Sequence, residues 1–559
     1  MSEQAVAGPE VAADLDIVEL AILWQRLQAA VDEADRVLGA TAFSSIVREA
    51  QDYVTALLDP RGRNLVQCTF SIGSFIGTMP VTAAQMLDAI GVETIAPGDV
   101  LITNDPYIGT GHAYDITMLT PIFHRERLVG FAGNVAHMTD IGGLEMSGDG
   151  GSIFEEGICF PPIKLFERGR EVPQVAAILG ANVRVPDQVL GDLEAMIAAN
   201  QALVRAVTEL LDEHDLASLD AFAAESWRRS EEAMRAAISA VPNGSWTYTA
   251  EGDGFDETVR VVANLTIDDR GVHVDFEGTS PQSTRGINSP FNYTRAYSLY
   301  ALKCVLGAAI PNNDGALRLF HVDAPVGSCL NPIRPAPTAV RGMTGQLAVN
   351  AIMGALAQVL PDRVIAQSGS CPSWMLSFNG RGADGRPFSN LSLLNGGLGA
   401  RANADGYSAL TFPVNCTSSP VELLEATTPI RVIRKELIPD SAGAGEHRGG
   451  LGQRIDFSAT DAPVSVSLVA DKIRTDPCGL AGGQPGRRGS ARLDGEAVPA
   501  KSRFTLEPGA TLSLELPGGG GYGPPERRAP ERVAADVELG LISEERARLD
   551  YGTHAKGAS

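Results

Sequence analysis

The pattern His-x-x-Asp occurs twice within residues 98–143, as His112/Asp115 and as His137/Asp140. Between the copies lie two apolar runs, 116–123 and 128–135, rich in β-branched and aromatic residues. The charged tetrapeptide 124–127 separates them as a turn, so the unit reads as a β-hairpin. If Phe123 pairs with Leu128, antiparallel register puts Asp115 beside Ala136 and His137, at the end away from the turn. Two imidazoles and two carboxylates then converge on one end of one short element, which is the donor set of a metal site. The plainer alternative is two solvated polar loops, but two copies at matched ladder positions favour the metal. Carboxylates brought this close raise each other's pKa unless a cation sits between them. Two nitrogens and two oxygens suit zinc, manganese or iron(II) better than magnesium or calcium. Residues three apart on a strand face opposite ways. Each pair must therefore sit where strand gives way to loop, as the glycines at 109, 111, 142 and 143 suggest.

A chain of 559 residues is too long for one core and should divide into several domains. A formal charge of −23 argues against nucleic acid and anionic membrane as partners, since both require a basic face. No apolar run approaches the roughly 20 residues that span a bilayer. The polar, acidic start lacks the basic region and apolar core of a secretory signal. The seven cysteines are scattered and never form C-x-x-C, which fits free thiols in a reducing compartment. A cytoplasmic protein is the expectation.

Apolar spacing predicts a helix over 16–38, stopping at Gly39. Strand and loop follow, including residues 72–79, and lead into the hairpin. A Gly-rich loop spans 142–151, and Glu155-Glu156-Gly157 precedes the Pro161-Pro162 break. Glu156, this near the proposed metal, is a candidate general base or a partner to the ligands; a solvated loop charge is the alternative. Helical spacing returns over 189–240 in two helices, the second covering 219–238. Strands are expected near 258–267 and 271–276, and helices at 297–309 and 348–360. Beyond residue 431 the chain reads as strands and glycine turns, with a Pro517-Gly-Gly-Gly-Gly run that forces irregular backbone, then one charged helix over 530–549. The expected division is an N-terminal α+β region (1–182) holding the hairpin, a helical block (183–244), a central α+β region (245–425), a β-rich glycine-rich region (426–529) and a C-terminal helix and tail (530–559). Mixed elements without a βαβ rhythm make the fold class α+β.

No G-x-x-x-x-G-K-[ST] or G-x-G-x-x-G phosphate cradle is present, and no G-x-S-x-G elbow. Asp149-Gly150-Gly151-Ser152 looks superficially like the phosphate loop of actin-like ATPases but follows a polar loop instead of an apolar strand.

Together, Asn104-Asp105-Pro106-Tyr107, His112-x-x-Asp115, His137-x-x-Asp140-Ile141-Gly142-Gly143 and Glu156-Gly157 resemble the hydantoinase B / oxoprolinase family. So do Asp275-Phe276-Glu277-Gly278-Thr279, Asn395-Gly396-Gly397-Leu398-Gly399, Arg448-Gly449-Gly450-Leu451-Gly452 and the run 518–523. The resemblance spans nearly the whole chain, and it implies that His112, Asp115, His137 and Asp140 are the family's metal-binding positions. It departs at Phe75, where many relatives carry histidine, and at Gly151-Ser152, where others carry Thr-Glu. Both places are expected at the substrate pocket, so the substrate does not carry over.

By that resemblance the chain is the B subunit of an ATP-dependent hydrolase opening a hydantoin, a lactam or 5-oxoproline. A partner ATPase subunit, holding ATP and magnesium, would phosphorylate the amide oxygen; the metal of this chain would present hydroxide to the activated carbon. The family also implies the main alternative, a subunit of an acetone- or acetophenone-type carboxylase. A scaffold with a closed, structural metal is a third reading. A hetero-oligomer is expected, because this chain shows no nucleotide site of its own.

Overall fold

The computed structural model describes residues 16–552 apart from 383 and 411. The polar N-terminal stretch, save Asp16, lies outside the described residues. Among those described, no helix is long and apolar enough to cross a membrane, and all seven cysteines are free.

Helix α1 (Ile17–Thr41) begins where the Asp16 carboxylate caps the amides of Val18 and Glu19, and it buries Leu20, Leu23, Leu27, Val31 and Leu38 along one stripe. It is followed by a seven-stranded sheet made of β1 (Tyr53–Leu58), β2 (Asn64–Gln67), β3 (Val100–Thr103), β4 (Asp115–His124), β5 (Arg127–His137), β6 (Ile163–Glu167) and β7 (Arg170–Glu171), in the order β2-β1-β5-β4-β3-β6-β7. The hairpin β4–β5 sits at its centre and is buried on both faces, which explains its near-continuous apolar composition.

The stretch 72–79 is not the strand and loop expected of it. Gly77, at a φ of +80°, opens helix α2 (Thr78–Ile90), which buries Met79, Thr82, Ala83, Met86 and Leu87. The helical period of these positions lies almost wholly beyond residue 79, so residues 72–79 alone do not display it. Helices α3 (Pro186–Glu213) and α4 (Asp220–Ser239) stand where two helices were expected over 189–240. α3 lies against the central hairpin, where Asn134 donates to the Met196 carbonyl at 2.8 Å and Asn200 donates to Thr120 at 3.2 Å.

A second sheet takes β8 (Gly244–Gly252), β9 (Val259–Asp268), β10 (Gly271–Asp275) and β11 (Phe320–Asp323), with β11 at its edge. Helices α5 (Phe291–Leu306) and α6 (Gly342–Leu356) start several residues earlier than expected. Two further sheets, of four and five strands, fill the C-terminal part. Their shared core runs from Trp374 to Leu516. Over 530–549 the single expected helix is two, Pro530–Glu538 and Glu544–Tyr551, parted at Gly540 with its φ of +68°. The architecture is mixed α and β in several packed layers. Its largest hydrophobic cluster draws on residues from Leu38 to Val469, so successive segments of the chain share one core.

Around residue 519 the glycine-rich loops of the C-terminal half meet backbone to backbone. Gly519 donates to the Gly450 carbonyl at 2.9 Å and accepts from Gly443 at 2.8 Å, while Gly397 donates to Pro517 at 2.9 Å. A Cβ on Gly519 would lie 2.1 Å from the Leu398 carbonyl oxygen, so only glycine permits this approach.

Candidate metal centre

The hairpin register brings the first candidate ligands together. Phe123 pairs with Leu128 as expected, and a bulge between Ile122 and Phe123 shifts the ladder by one residue, setting Asp115 directly opposite His137. The His137 ring nitrogen Nδ1 lies 2.9 Å from Asp115 Oδ1. His112 comes from the loop before β4, where Gly111 adopts a φ of +100°; a Cβ there would lie 2.6 Å from the Arg341 side chain. The His112 Nε2 atom lies 2.8 Å from the same Asp115 oxygen. His112, Asp115 and His137 are all buried, with one potential ligand atom from each lying within 4.8 Å of the others.

The protonation pattern suits a cation. A backbone carbonyl only accepts, so the 3.1 Å contact between His112 Nδ1 and the Ala339 oxygen fixes the proton on Nδ1. Burial, then the Arg341 charge, pushes the His112 pKa down to about 4, so the ring is neutral near pH 7. Its Nε2 then faces Asp115 lone pair to lone pair, and this buried atom has no hydrogen-bond partner; neither has Nε2 of His137. An arrangement that is repulsive without a cation, and attractive around one, fits a metal held by these side chains.

Asp115 is prepared on its other side. Arg341 Nη2 and the Thr110 hydroxyl reach its Oδ2 at 2.7 and 2.5 Å. Burial opposes ionisation of Asp115, but its surroundings, the Arg341 guanidinium among them, hold its pKa well below the usual carboxylate range. Arg341 is itself buried, donating from Nε to the Thr110 carbonyl at 2.6 Å and lying 4.1 Å over the Tyr293 ring. Asp52 stands next to the group, its Oδ2 4.0 Å from His137 Nδ1, and burial pushes its pKa up to about 6. It precedes β1, whose pairing of Tyr53 with Ala136 carries position 52 to the end of β5. Sequence reasoning missed Asp52 and Arg341. The pairing of β1 with β5 was the signal for the first, and none marked the second.

Asp140, the fourth expected ligand, lies apart from the group of His112, Asp115 and His137. Its carboxylate accepts from Arg184 Nη1 at 2.5 Å, from the Arg184 backbone amide and from the Gly142 amide at 3.0 Å. With both oxygens engaged, Asp140 closes the loop after β5 and ties it to the segment ahead of α3. Glu156 is buried and accepts from the amides of Thr338 and Ala339 at 2.6 and 2.8 Å. Burial pushes its pKa up to about 7. It thus braces the loop that offers the Ala339 carbonyl to His112 and, two residues on, Arg341 to Asp115.

A cavity of about 50 Å³ borders the centre, lined by His112, His137, Asp52, Arg341, Tyr293 and Gln346 among others. Ser74 reaches it, whereas its neighbour Phe75 points into the core. Gly151 and Ser152 are not among its lining residues.

The hydantoinase B/oxoprolinase family model matches residues 16–525. The caprolactamase subunit beta of Pseudomonas jessenii is 32% identical over 574 residues, covering 97% of each chain. The crystal structure of the ATP-dependent caprolactamase from that organism superposes with a TM-score of 0.90 at 30% identity, over 98% of this chain and 97% of that one. A nucleotide-free acetone carboxylase structure superposes with a TM-score of 0.87 at 20% identity, over 97% of this chain and 80% of that one, a likeness of fold alone. In sequence, in fold and along almost its whole length, the chain belongs to the hydantoinase B/oxoprolinase family.

Proposed function

We propose that the chain is the metal-holding subunit of an ATP-dependent hydrolase that opens a cyclic amide, with an ATPase partner supplying the activated substrate. The observation that carries this reading is the pair of buried imidazole nitrogens without hydrogen-bond partners, one 2.8 Å from Asp115 and both on residues bordering a cavity. The related caprolactamase is ATP-dependent, and its matching chain is a subunit, which supports the partner and the substrate class.

A divalent zinc, manganese or iron ion held by His112, Asp115 and His137, with Asp52 as a further oxygen donor, would activate water and polarise the carbonyl. The side chains divide the remaining work. The Ala339 carbonyl keeps the proton of His112 on Nδ1, leaving Nε2 free to coordinate. Arg341 and Thr110 occupy Asp115 Oδ2 and so aim Oδ1 at the two imidazoles. Tyr293 and Tyr297, 4.9 Å apart edge to face, wall the cavity from water. Gln346 accepts from the Ser373 amide at 2.8 Å, which fixes the orientation of its amide at the cavity wall. A cavity beside the ligands also favours a working centre over a closed structural one. The carboxylase alternative rests on fold likeness alone.

The test is to purify the chain with and without an ATPase partner and assay hydantoins, lactams and 5-oxoproline with ATP. Ring opening is expected only with both subunits and ATP. Turnover by the chain alone at about 1 per second or faster would overturn the two-subunit reading. Bicarbonate-dependent consumption of a ketone, without amide opening, would replace it with the carboxylase.

A further inference from the structure

The segment 72–77 borders two hollows. Ile72 and Ser74 line the metal cavity, whereas Gly77 lines a second hollow of about 610 Å³. Helix α5 is shared in the same way: Tyr293 and Tyr297 line the cavity beside the candidate ligands, and Arg295 lines the second hollow. The remaining walls come from α2, the edge strand β11 and the turn that carries Arg61 and Arg63. The volume is that of a pocket for a small molecule.

In a chain of formal charge −23, this hollow gathers Arg61, Arg63, Arg295, Arg318 and His321. Two of these cations are spent. Arg63 pairs with Asp59 at 2.6 Å; Arg318 pairs with Asp314 at 2.9 Å and Glu231 at 3.4 Å. Both also lie over the Trp227 ring, at 4.2 and 5.3 Å. The other lining acid, Asp323, is taken by His273 at 2.8 Å. Arg61 and His321 make no side-chain hydrogen bond or ion pair among the described residues. Among the described residues the Arg295 side chain makes one hydrogen bond, from Nη1 to the Gly77 carbonyl at 3.3 Å, and no ion pair. It is half-buried, and burial lowers its pKa.

The one charge that offsets the burial of Arg295, that of Asp314, makes no direct ion pair with it and is paired with Arg318. A partly desolvated guanidinium so placed is costly, and its planar fork matches carboxylate and phosphate oxygens. We propose that this hollow is an anion-binding site, separate from the metal centre, for a small ligand bearing a phosphate or carboxylate group. Arg295 holds the anionic group from the wall, through the nitrogens its one hydrogen bond leaves free. Arg61 and His321, both exposed, close on it from the rim.

The test is isothermal titration of the full chain with pyrophosphate and, separately, with adipate, so that the two arms distinguish phosphate from carboxylate recognition. Saturable binding of at least one probe is expected, weakened tenfold or more in Arg295→Met and also in Arg61→Ala. Arg295→Met removes an unpaired charge while keeping the bulk of the side chain. Its ligand-free melting temperature should therefore not fall and its metal content should not change, which separates lost binding from lost folding or a disturbed metal site. Affinities weaker than about 1 mM for both probes would overturn the proposal. Binding that survives both substitutions would do the same. So would unchanged anion binding accompanied by weakened association with the ATPase partner, which would make these arginines a docking surface.

Discussion

At the open end of the central hairpin everything depends on side chains: the Asp115–His137 pair stands on an antiparallel ladder, and the His112 ring and the Arg341 guanidinium reach it from outside that ladder. Where the glycine loops meet around residue 519, everything depends on their absence. There a Cβ on Gly518 would lie 1.8 Å from the Ser441 carbonyl oxygen, and one on Gly450 1.9 Å from that of Tyr407. Both regions draw together segments far apart in the chain, but they specify their structure oppositely. The hairpin would keep its backbone if its chemistry were deleted. The glycine region has no chemistry to delete and loses its geometry to a single methyl group.

The comparison is put at greatest risk by the double substitution His112→Ala/His137→Ala. It should abolish metal binding, from close to one ion per chain to none, while the sheet survives. Elemental analysis with circular dichroism checks both halves, and full occupancy in the mutant would defeat the assignment. Gly519→Ala should do the reverse. Overpacking against the Leu398 carbonyl is expected to cost about 3 kcal/mol, read by denaturant unfolding, with metal retained in the folded fraction. A neutral Gly519→Ala would mean that the loops have slack.

Smaller effects sharpen the boundary of the metal region. If Glu156 braces the 338–341 loop, Glu156→Gln keeps an acceptor for the two amides and should lower turnover less than tenfold; a loss of about 10²-fold with metal intact would assign it proton transfer. Burial raises the pKa of Glu156 from 4.5 to about 7, so the folded state binds the proton more tightly than the unfolded state. The stability it contributes is complete below pH 4.5 and is lost as pH rises through about 7. The wild type should therefore lose melting temperature relative to Glu156→Gln across that window, and a pH-independent difference would show that the carboxyl is not buried as described. Asp140→Asn should have the least effect on metal content, leaving occupancy unchanged while loosening the tie to Arg184. Loss of the ion would restore Asp140 as a ligand.

Much of the hairpin was legible because its information is local. Two apolar, β-branched runs around a four-residue turn set the register to within one residue, and the bulge between Ile122 and Phe123 supplies the last step that puts Asp115 opposite His137. Asp140 shows where that logic ends: its partner Arg184 is 44 residues away, and nothing in a His-x-x-Asp repeat says that the second aspartate turns outward. Asp52 required knowing that β1 adds to the outside of β5. Arg341 lies 226 residues beyond Asp115 and comes from outside the sheet altogether. Helix α2 was hidden because residues 72–79 reach only the start of its buried stripe, at Met79. The glycines were legible as irregular backbone, but which loops they allow to touch is a property of the assembled layers.

The separation between Asp115 and Arg341 also sets an order of events during synthesis. Asp52, His112, Asp115 and His137 leave the ribosome first, and Ala339 and Arg341 follow roughly 200 residues later, or about 10 to 40 seconds at ordinary elongation rates. For that interval the candidate ligand side chains exist without the loop that later fixes the His112 tautomer and covers Asp115. An ion bound in the finished protein has therefore either met the nascent hairpin while it was uncovered or entered afterwards through a cavity of about 50 Å³. The first route exposes metal selection to whichever cation is abundant at the ribosome; the second subjects it to the walls of the folded site.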